Sequence, residues 1–252
     1  MNRKSSPFFV GYLPVPKQLA VFLVVCALSL IAGFVGTGLL VGATQDDPGK
    51  ADFRFDLGRQ TVSGVIELQP YPVLRVVRGN EHIPAGHTLM LTGIGKNGVM
   101  ERAAPLAGRM ATASGVLLSR GDLDMLQVRG GDEGLGAAEG EGPEMPVVPL
   151  GKWRLAGEIC DGKCLTGAMR PGRGLAHKAC ANLCLTGGVP PVFVSSQPVE
   201  GSSFFLIAGP DGGPMPREAY DFVGQYITLE GEVERRGDLP VLRVSISTME
   251  VL

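Results

Sequence analysis

The sequence predicts a mainly β protein in which one N-terminal membrane helix is followed by two tandem copies of a small five-stranded barrel. Three observations predict it. A single uncharged apolar stretch covers 19–43, and the region after it repeats itself. That region is also dense in turn formers, with 37 glycines and 19 prolines in the 252-residue chain, and shows few long segments with the apolar period of a helix.

The membrane helix comes first. Leu19 to Ala43 is apolar or small throughout, and no residue between Lys17 and Asp46 is charged, which is enough chain to cross a hydrocarbon core of roughly 30 Å. Arg3, Lys4 and Lys17 precede the span and Asp46 and Asp47 follow it. The positive-inside rule then leaves residues 1–18 in the cytoplasm and sends everything after the span out, as periplasmic domains on a single-pass protein of the inner membrane. A cleaved signal peptide ending at Val41-Gly-Ala43 is the rival reading, but signal peptides have apolar regions of only ~7–15 residues. Cys26 follows Val24-Val25 rather than the small residues a lipidation site wants, so it reads as a thiol inside the span. Ala32, Gly36, Gly38 and Gly42 supply the four-residue small spacing that lets membrane helices approach, which ordinary glycine content would also produce.

Self-comparison organises the exported part. Leu106 to Gly115, Arg120-Gly-Asp-Leu123 and Leu126-Gln-Val128 match Phe222 to Gly231, Arg236-Gly-Asp-Leu239 and Leu242-Arg-Val244, all at an offset of 116; upstream, Leu89 to Gly93 matches Phe205 to Gly209. The opening strands, Val62-x-Gly64-x-Ile66 and Leu155-x-Gly157-x-Ile159, align at an offset of 93. The second copy therefore carries 23 extra residues just after its first strand. Each copy continues with a strand after a Pro-Val pair (Pro72-Val73, Pro191-Val192), a third strand ending at Gly93 or Gly209, a short helical segment (102–106, 217–222) and a closing hairpin. In the last hairpin Ile227, Leu229, Gly231 and Val233 alternate with polar residues, as in a strand with one wet face. Five strands with a helix between the third and fourth is the order of an OB-type barrel. The predicted domains are 52–129 and 151–252, joined over 130–150 by an acidic, glycine-rich stretch without aromatics that reads as a flexible connector permitting relative movement.

Several tempting features have plain explanations. The Arg-Gly-Asp triplets at 120 and 236 sit at equivalent hairpin tips, where Gly and Asp supply turn conformations. Trp153 reads as a packing residue of the second copy's first strand. His82 and His87 have no cysteine or carboxylate cluster near them in sequence and receive no role. A formal net charge of −2 and a pI near 6.0 exclude the basic field that nucleic acid requires.

Chemistry concentrates in the insert, 160–188, which holds Cys160, Asp161, Lys163, Cys164, His177, Cys180 and Cys184. On a helix His177, Cys180 and Cys184 would lie within roughly 60° of one face. OB barrels commonly bind ligands with the loop between strands 1 and 2, which is where the insert falls; the first domain lacks a counterpart and reads as a spacer or docking surface. Three readings stay open. Outside the cytoplasm the four cysteines Cys160, Cys164, Cys180 and Cys184 would form stapling disulfides, although a Cys180–Cys184 bridge has poor geometry along a helix. Cys164, His177, Cys180 and Cys184, with Cys160 or Asp161 as further candidates, could instead hold Zn or Cu(I). Lys163 and His177 could also lower a neighbouring thiol pKa for exchange with a partner disulfide.

The stretch Gly157-x-Ile159-x-Asp161-x-x-Cys164, followed by a glycine-containing loop, His177-x-x-Cys180-Ala181-x-x-Cys184 and Gly187-Gly188, resembles an uncharacterised family of exported bacterial OB-type domains. The resemblance spans roughly 155–245 and implies no established activity. Cys160 departs from it, because the family position is often aliphatic.

No catalytic motif stands out: there is no Gly-x-Ser-x-Gly elbow, no phosphate-binding Gly-Lys-Ser/Thr loop and no His-Glu-x-x-His. The expectation is a membrane-anchored binding or accessory protein for a membrane redox or metal-containing complex, with a protein partner at the membrane. The alternative is a periplasmic thiol–disulfide oxidoreductase or metal-handling protein.

Overall fold

A computed structural model describes residues 17–44, 49–144 and 146–252. Most of the cytoplasmic segment expected over 1–18 lies outside the described residues. The chain divides into two units, the N-terminal helix and a body from Pro48 to Leu252. Helix α1 spans Lys17–Thr44. Its stretch Leu19–Ala43 has a mean hydropathy of 2.7 and is long and apolar enough to cross a membrane.

The body contains two closed five-stranded barrels, the OB-like pair predicted. In the first, β1 (Asp52–Phe53) is an edge addition, and β2 (Gln60–Glu67), β3 (Val73–Arg78), β4 (Thr88–Thr92), β5 (Met110–Arg120) and β6 (Leu123–Val128) form the barrel. The order is β5-β2-β3-β4-β6, and β6 closes on β5. Helix α2 (Met100–Ala103) and a 3₁₀ turn (Ala104–Leu106) lie between β4 and β5. In the second barrel β8 (Val147–Asp161), β9 (Pro191–Val199), β10 (Ser202–Ala208), β11 (Tyr226–Arg236) and β12 (Leu239–Val244) repeat the order, closed by β11 on β12, with a 3₁₀ turn at Arg217–Phe222 and a last short strand β13 (Glu250–Val251) on β11. In both barrels the third and fifth strands run parallel and every other pair is antiparallel.

Alternation along each strand decides which side chains fill a barrel. Val62, Ile66, Leu74, Leu91, Leu117 and Leu126 fill the first, and Leu155, Ile159, Phe193, Phe205, Leu229 and Leu242 fill the second. A third apolar layer lies between the barrels, made of the outward faces of equivalent strands: Val73, Met90, Leu123 and Met125 from one, Val192, Leu206, Leu239 and Val241 from the other. Met90 and Leu206, Leu123 and Leu239, and Met125 and Val241 are each 116 apart. The layer is therefore self-complementary, like the interface of a two-fold dimer.

This layer revises the expected freedom of movement. The barrels share buried apolar surface, and the connector contributes a strand, β7 (Leu135–Ala137), which pairs with β5 and buries Leu135 in the first core. β8 has already begun by Val147. Glycine and acid dominate the connector's composition, but the backbone pairing of β7 and the buried Leu135 tie its middle to the first barrel.

Both Arg-Gly-Asp hairpins are also fastened across the interface. Arg236 donates to the Gln69 carbonyl at 2.7 Å, Arg120 to the Leu165 carbonyl at 3.4 Å, and Asp238 accepts from the Thr88 amide at 2.9 Å. His87, given no role by the sequence, bonds Asp238 through Nδ1 and Asp124 through Nε2. Burial opposes its protonation, but the two carboxylates outweigh that and hold its pKa up to about 9.

Two predictions follow from the interface. Because the folded pKa of His87 is above the ordinary value of ~6.5, its stabilisation is complete below that value and is lost as pH rises through about 9. Chemical denaturation from pH 6 to 10 should show wild type losing about 1–2 kcal/mol more than His87→Gln, after allowance for solvent screening. Met125→Ala should cost about 2–4 kcal/mol, since a fully buried methionine leaves a cavity. The unfolding transitions of the two barrels, followed by separate probes, should stay coincident.

Candidate metal and thiol site

The site is assembled from the end of β8, the turn after it, and helix α3 (Lys178–Thr186). Along β8 the odd positions Leu155 and Ile159 enter the second barrel's core, whereas Cys160 faces the layer between the barrels. Asp161, the last residue of β8, is fully buried beneath the insert. The insert leaves and re-enters the barrel at one neck, closed by the Gly162 amide on the Pro190 carbonyl at 2.8 Å.

Asp161 sets the local geometry. Its Oδ1 accepts the Cys164 amide at 2.9 Å, fixing the start of a π-type turn, Cys164–Ala168, and its Oδ2 lies 3.0 Å from His177 Nε2. Thr166 Oγ1 ties the same turn to the Gly162 carbonyl at 2.8 Å. His177 is 4% exposed, so it is not a surface residue. It sits in a 3₁₀ turn, Leu175–His177, ahead of α3. With a right-handed helical backbone, His177 stands at the very start of α3, ahead of Cys180 and Cys184. On α3, Ala181 and Leu185 plug the second core, and Cys184 turns toward Cys164 and Val189.

Two groups of metal-ligating atoms result. The sulfurs of Cys164, Cys180 and Cys184 lie within 4.8 Å of one another, and ligand atoms of Asp161, Cys164 and His177 do the same. Cys164 belongs to both. Cys160 belongs to neither, because strand alternation sends it to the opposite face, where its thiol meets Glu158 Oε1 at 3.4 Å. Burial first, and the Glu158 charge second, push the Cys160 pKa well up and leave it an inert thiol.

The stapling expectation is corrected here: all the cysteines are free thiols. Cys160 and Cys164 point to different cores, and Cys180 and Cys184 run side by side on one helix. In place of a bridge, the Cys164 and Cys184 thiols lie side by side, and their contact, with burial, raises the pKa of Cys164.

The first barrel supplies what the sequence did not disclose. In the loop after β4, Lys96 Nζ stands 2.7 Å from Cys180 Sγ and 3.7 Å from Cys184 Sγ. The partnership with Cys180 raises the Lys96 pKa. From the insert, Lys163 reaches the other way and donates to the Gly93 and Gly95 carbonyls, at 2.7 Å each. Burial lowers the Lys163 pKa, against the pull of Cys184 and Cys164. The backbones meet directly where the Gly98 amide bonds the Gly187 carbonyl at 2.7 Å. A Cβ on Gly187 would lie 1.8 Å from the Lys96 carbonyl oxygen, and one on Gly98 would lie 2.1 Å from that of Gly188. These glycines permit the loop and the end of α3 to touch.

Comparison of the chain with protein-family models, curated proteins and solved structures finds no match. Chemically, the arrangement offers three neighbouring sulfurs, two of them buried and one half-exposed, with two ammonium groups beside them and a carboxylate–imidazole pair behind.

Asp161→Ala should destabilise the body by about 2–4 kcal/mol, because it strips a buried amide and a buried imidazole of their acceptor at once. Cys160→Ser should cost far less. Urea unfolding of the two variants gives the comparison.

Proposed function

We propose that this chain is a membrane-anchored, extracytoplasmic binding protein whose body holds a soft metal ion on Cys164, Cys180 and Cys184. The observation that carries the reading is the mutual proximity of three sulfurs drawn from two separate segments. Sulfurs bonded at ~2.3 Å to one ion stand ~4 Å apart, a spacing these side chains reach with little movement. Thiolates select Zn and Cu(I) over hard cations. Asp161 and His177 then act as support behind Cys164, in the manner of carboxylate and imidazole groups that orient a ligand from outside the coordination sphere.

The apolar helix Leu19–Ala43 with its flanking charges supports a single-pass inner-membrane anchor and a periplasmic body. A small metal-binding body tethered beside the bilayer suits an accessory or assembly role for a membrane redox or metal-containing complex, with a protein component of that complex as partner. The likeness of 155–245 to exported bacterial OB-type domains is in keeping with that placement.

One observation favours a second reading, thiol–disulfide exchange. Cys180 is half-exposed, its sulfur is 2.7 Å from the Lys96 ammonium group, and it is the accessible thiol of the three. Cys180 would attack a partner's disulfide, and Cys184 would displace the partner as a dithiol, leaving a bridge on α3 whose geometry is poor.

Metal analysis of the full-length protein, purified in detergent under reducing conditions, separates the two. The expected outcome is one equivalent of Zn or copper per chain, abolished by Cys164→Ser or Cys184→Ser and retained by Cys160→Ser. A metal-free protein that also takes up no added Zn(II) or Cu(I), yet reduces a model disulfide through Cys180, would replace this reading with the second.

A further inference from the structure

We propose that the three-sulfur site is built for a monovalent soft cation, Cu(I), held by Cys164, Cys180 and Cys184 alone, with the Lys96 and Lys163 ammonium groups balancing the thiolate charge. The inference rests on the metal-binding reading above and names the ion.

Ligand number is the first argument. Structural zinc sites are four-coordinate, whereas the sulfur group here contains three ligands, and the imidazole that could complete it belongs to the other group. His177 Nε2 is held by Asp161 at 3.0 Å, with the two side chains 3% and 0% exposed. Turning His177 toward the sulfurs would leave a carboxylate buried without its partner, which is strongly unfavourable.

Charge is the second argument. Three thiolates with a monovalent ion carry −2, one negative charge more than with a divalent ion, and the buried Asp161 carboxylate beside Cys164 adds to it; the two ammonium groups offset that larger charge. The first ammonium, Lys96 Nζ, lies 2.7 Å from Cys180 Sγ; the second, Lys163 Nζ, is pinned between two carbonyls of the facing loop. The two lysines come from different barrels, so the positive charge is assembled by the same packing that brings the loop across the insert.

Access agrees with this assignment. Cys164 and Cys184 are 5% and 2% exposed, while Cys180 is half-exposed and Lys96 is exposed. The ion therefore enters past Cys180 and Lys96, on the side where a long flexible side chain can move away.

The test uses full-length protein in detergent, anaerobic and reduced, loaded with Cu(I) alone or Zn(II) alone and challenged with a competing chelator for each ion. The expected results are retention of one equivalent of Cu(I), an X-ray absorption spectrum with three sulfur neighbours and no nitrogen, and roughly tenfold weaker Cu(I) retention in Lys96→Glu. Lys96→Arg should restore retention, and Zn(II) retention should fall less than Cu(I) retention in Lys96→Glu. Zn(II) held with a nitrogen neighbour in preference to Cu(I), or Cu(I) retention indifferent to Lys96→Glu, would overturn the assignment while leaving a metal site in place. Failure to retain either ion would overturn the metal-binding reading itself.

Discussion

The apolar layer between the barrels is the contact on which the rest of the body depends. Each barrel closes around its own core, but Met90, Leu123 and Met125 meet Leu206, Leu239 and Val241 on faces that a lone barrel would leave wet. Apolar burial has no direction of its own, so orientation comes from the polar clasps around it. Arg236 on the Gln69 carbonyl, Asp238 on His87 and Thr88, and Tyr71 on the Met215 amide fix how the two faces are turned.

That orientation explains why a site in the second barrel includes residues of the first. Each barrel presents its loop after strand 1 to the other's loop after strand 3: Tyr71 reaches the Met215 amide in one direction, and Lys163 reaches the Gly93 and Gly95 carbonyls in the other. In the first barrel the strand-1 loop is a few residues long. In the second it has grown into the cysteine insert, so the same docking arrangement carries sulfur chemistry on one side only. The first barrel is a working wall of the site, rather than a spacer.

Much of this was legible in the residues. Duplication at a constant offset, alternation within strands and the glycine and proline punctuation predict both barrels and the position of the insert. Asp161, Cys164, His177, Cys180 and Cys184 were legible as a cluster because they crowd one short stretch. Their partition into two groups was not, since it depends on the His177 ring being held by Asp161, a contact between residues 16 apart that helix spacing does not record. Cys160 is removed from the cluster by strand alternation, a rule that applies only once β8 is known to continue as far as Asp161. Lys96 and His87 were invisible for another reason. Their partners across the seam lie 84 and 151 residues away, and no local pattern records a contact made by packing one barrel on another. The connector misled in the opposite sense, because composition averages over a segment and hides the short strand and buried leucine that anchor it.

The direct contact between the Lys96 loop and the end of α3 has a thermodynamic corollary. A ligand gripped jointly by two bodies has a different affinity when the bodies separate, and linkage makes that difference reciprocal. Whatever opens the seam between the barrels, whether a docking surface that competes for it or alkaline loss of the His87 proton, would weaken the hold on anything at the sulfurs to the extent that it populates the open state, just as occupancy of the sulfurs would tighten the seam. Loading and release would then be governed at a distance from the sulfurs, by how firmly two halves of one chain are pressed together.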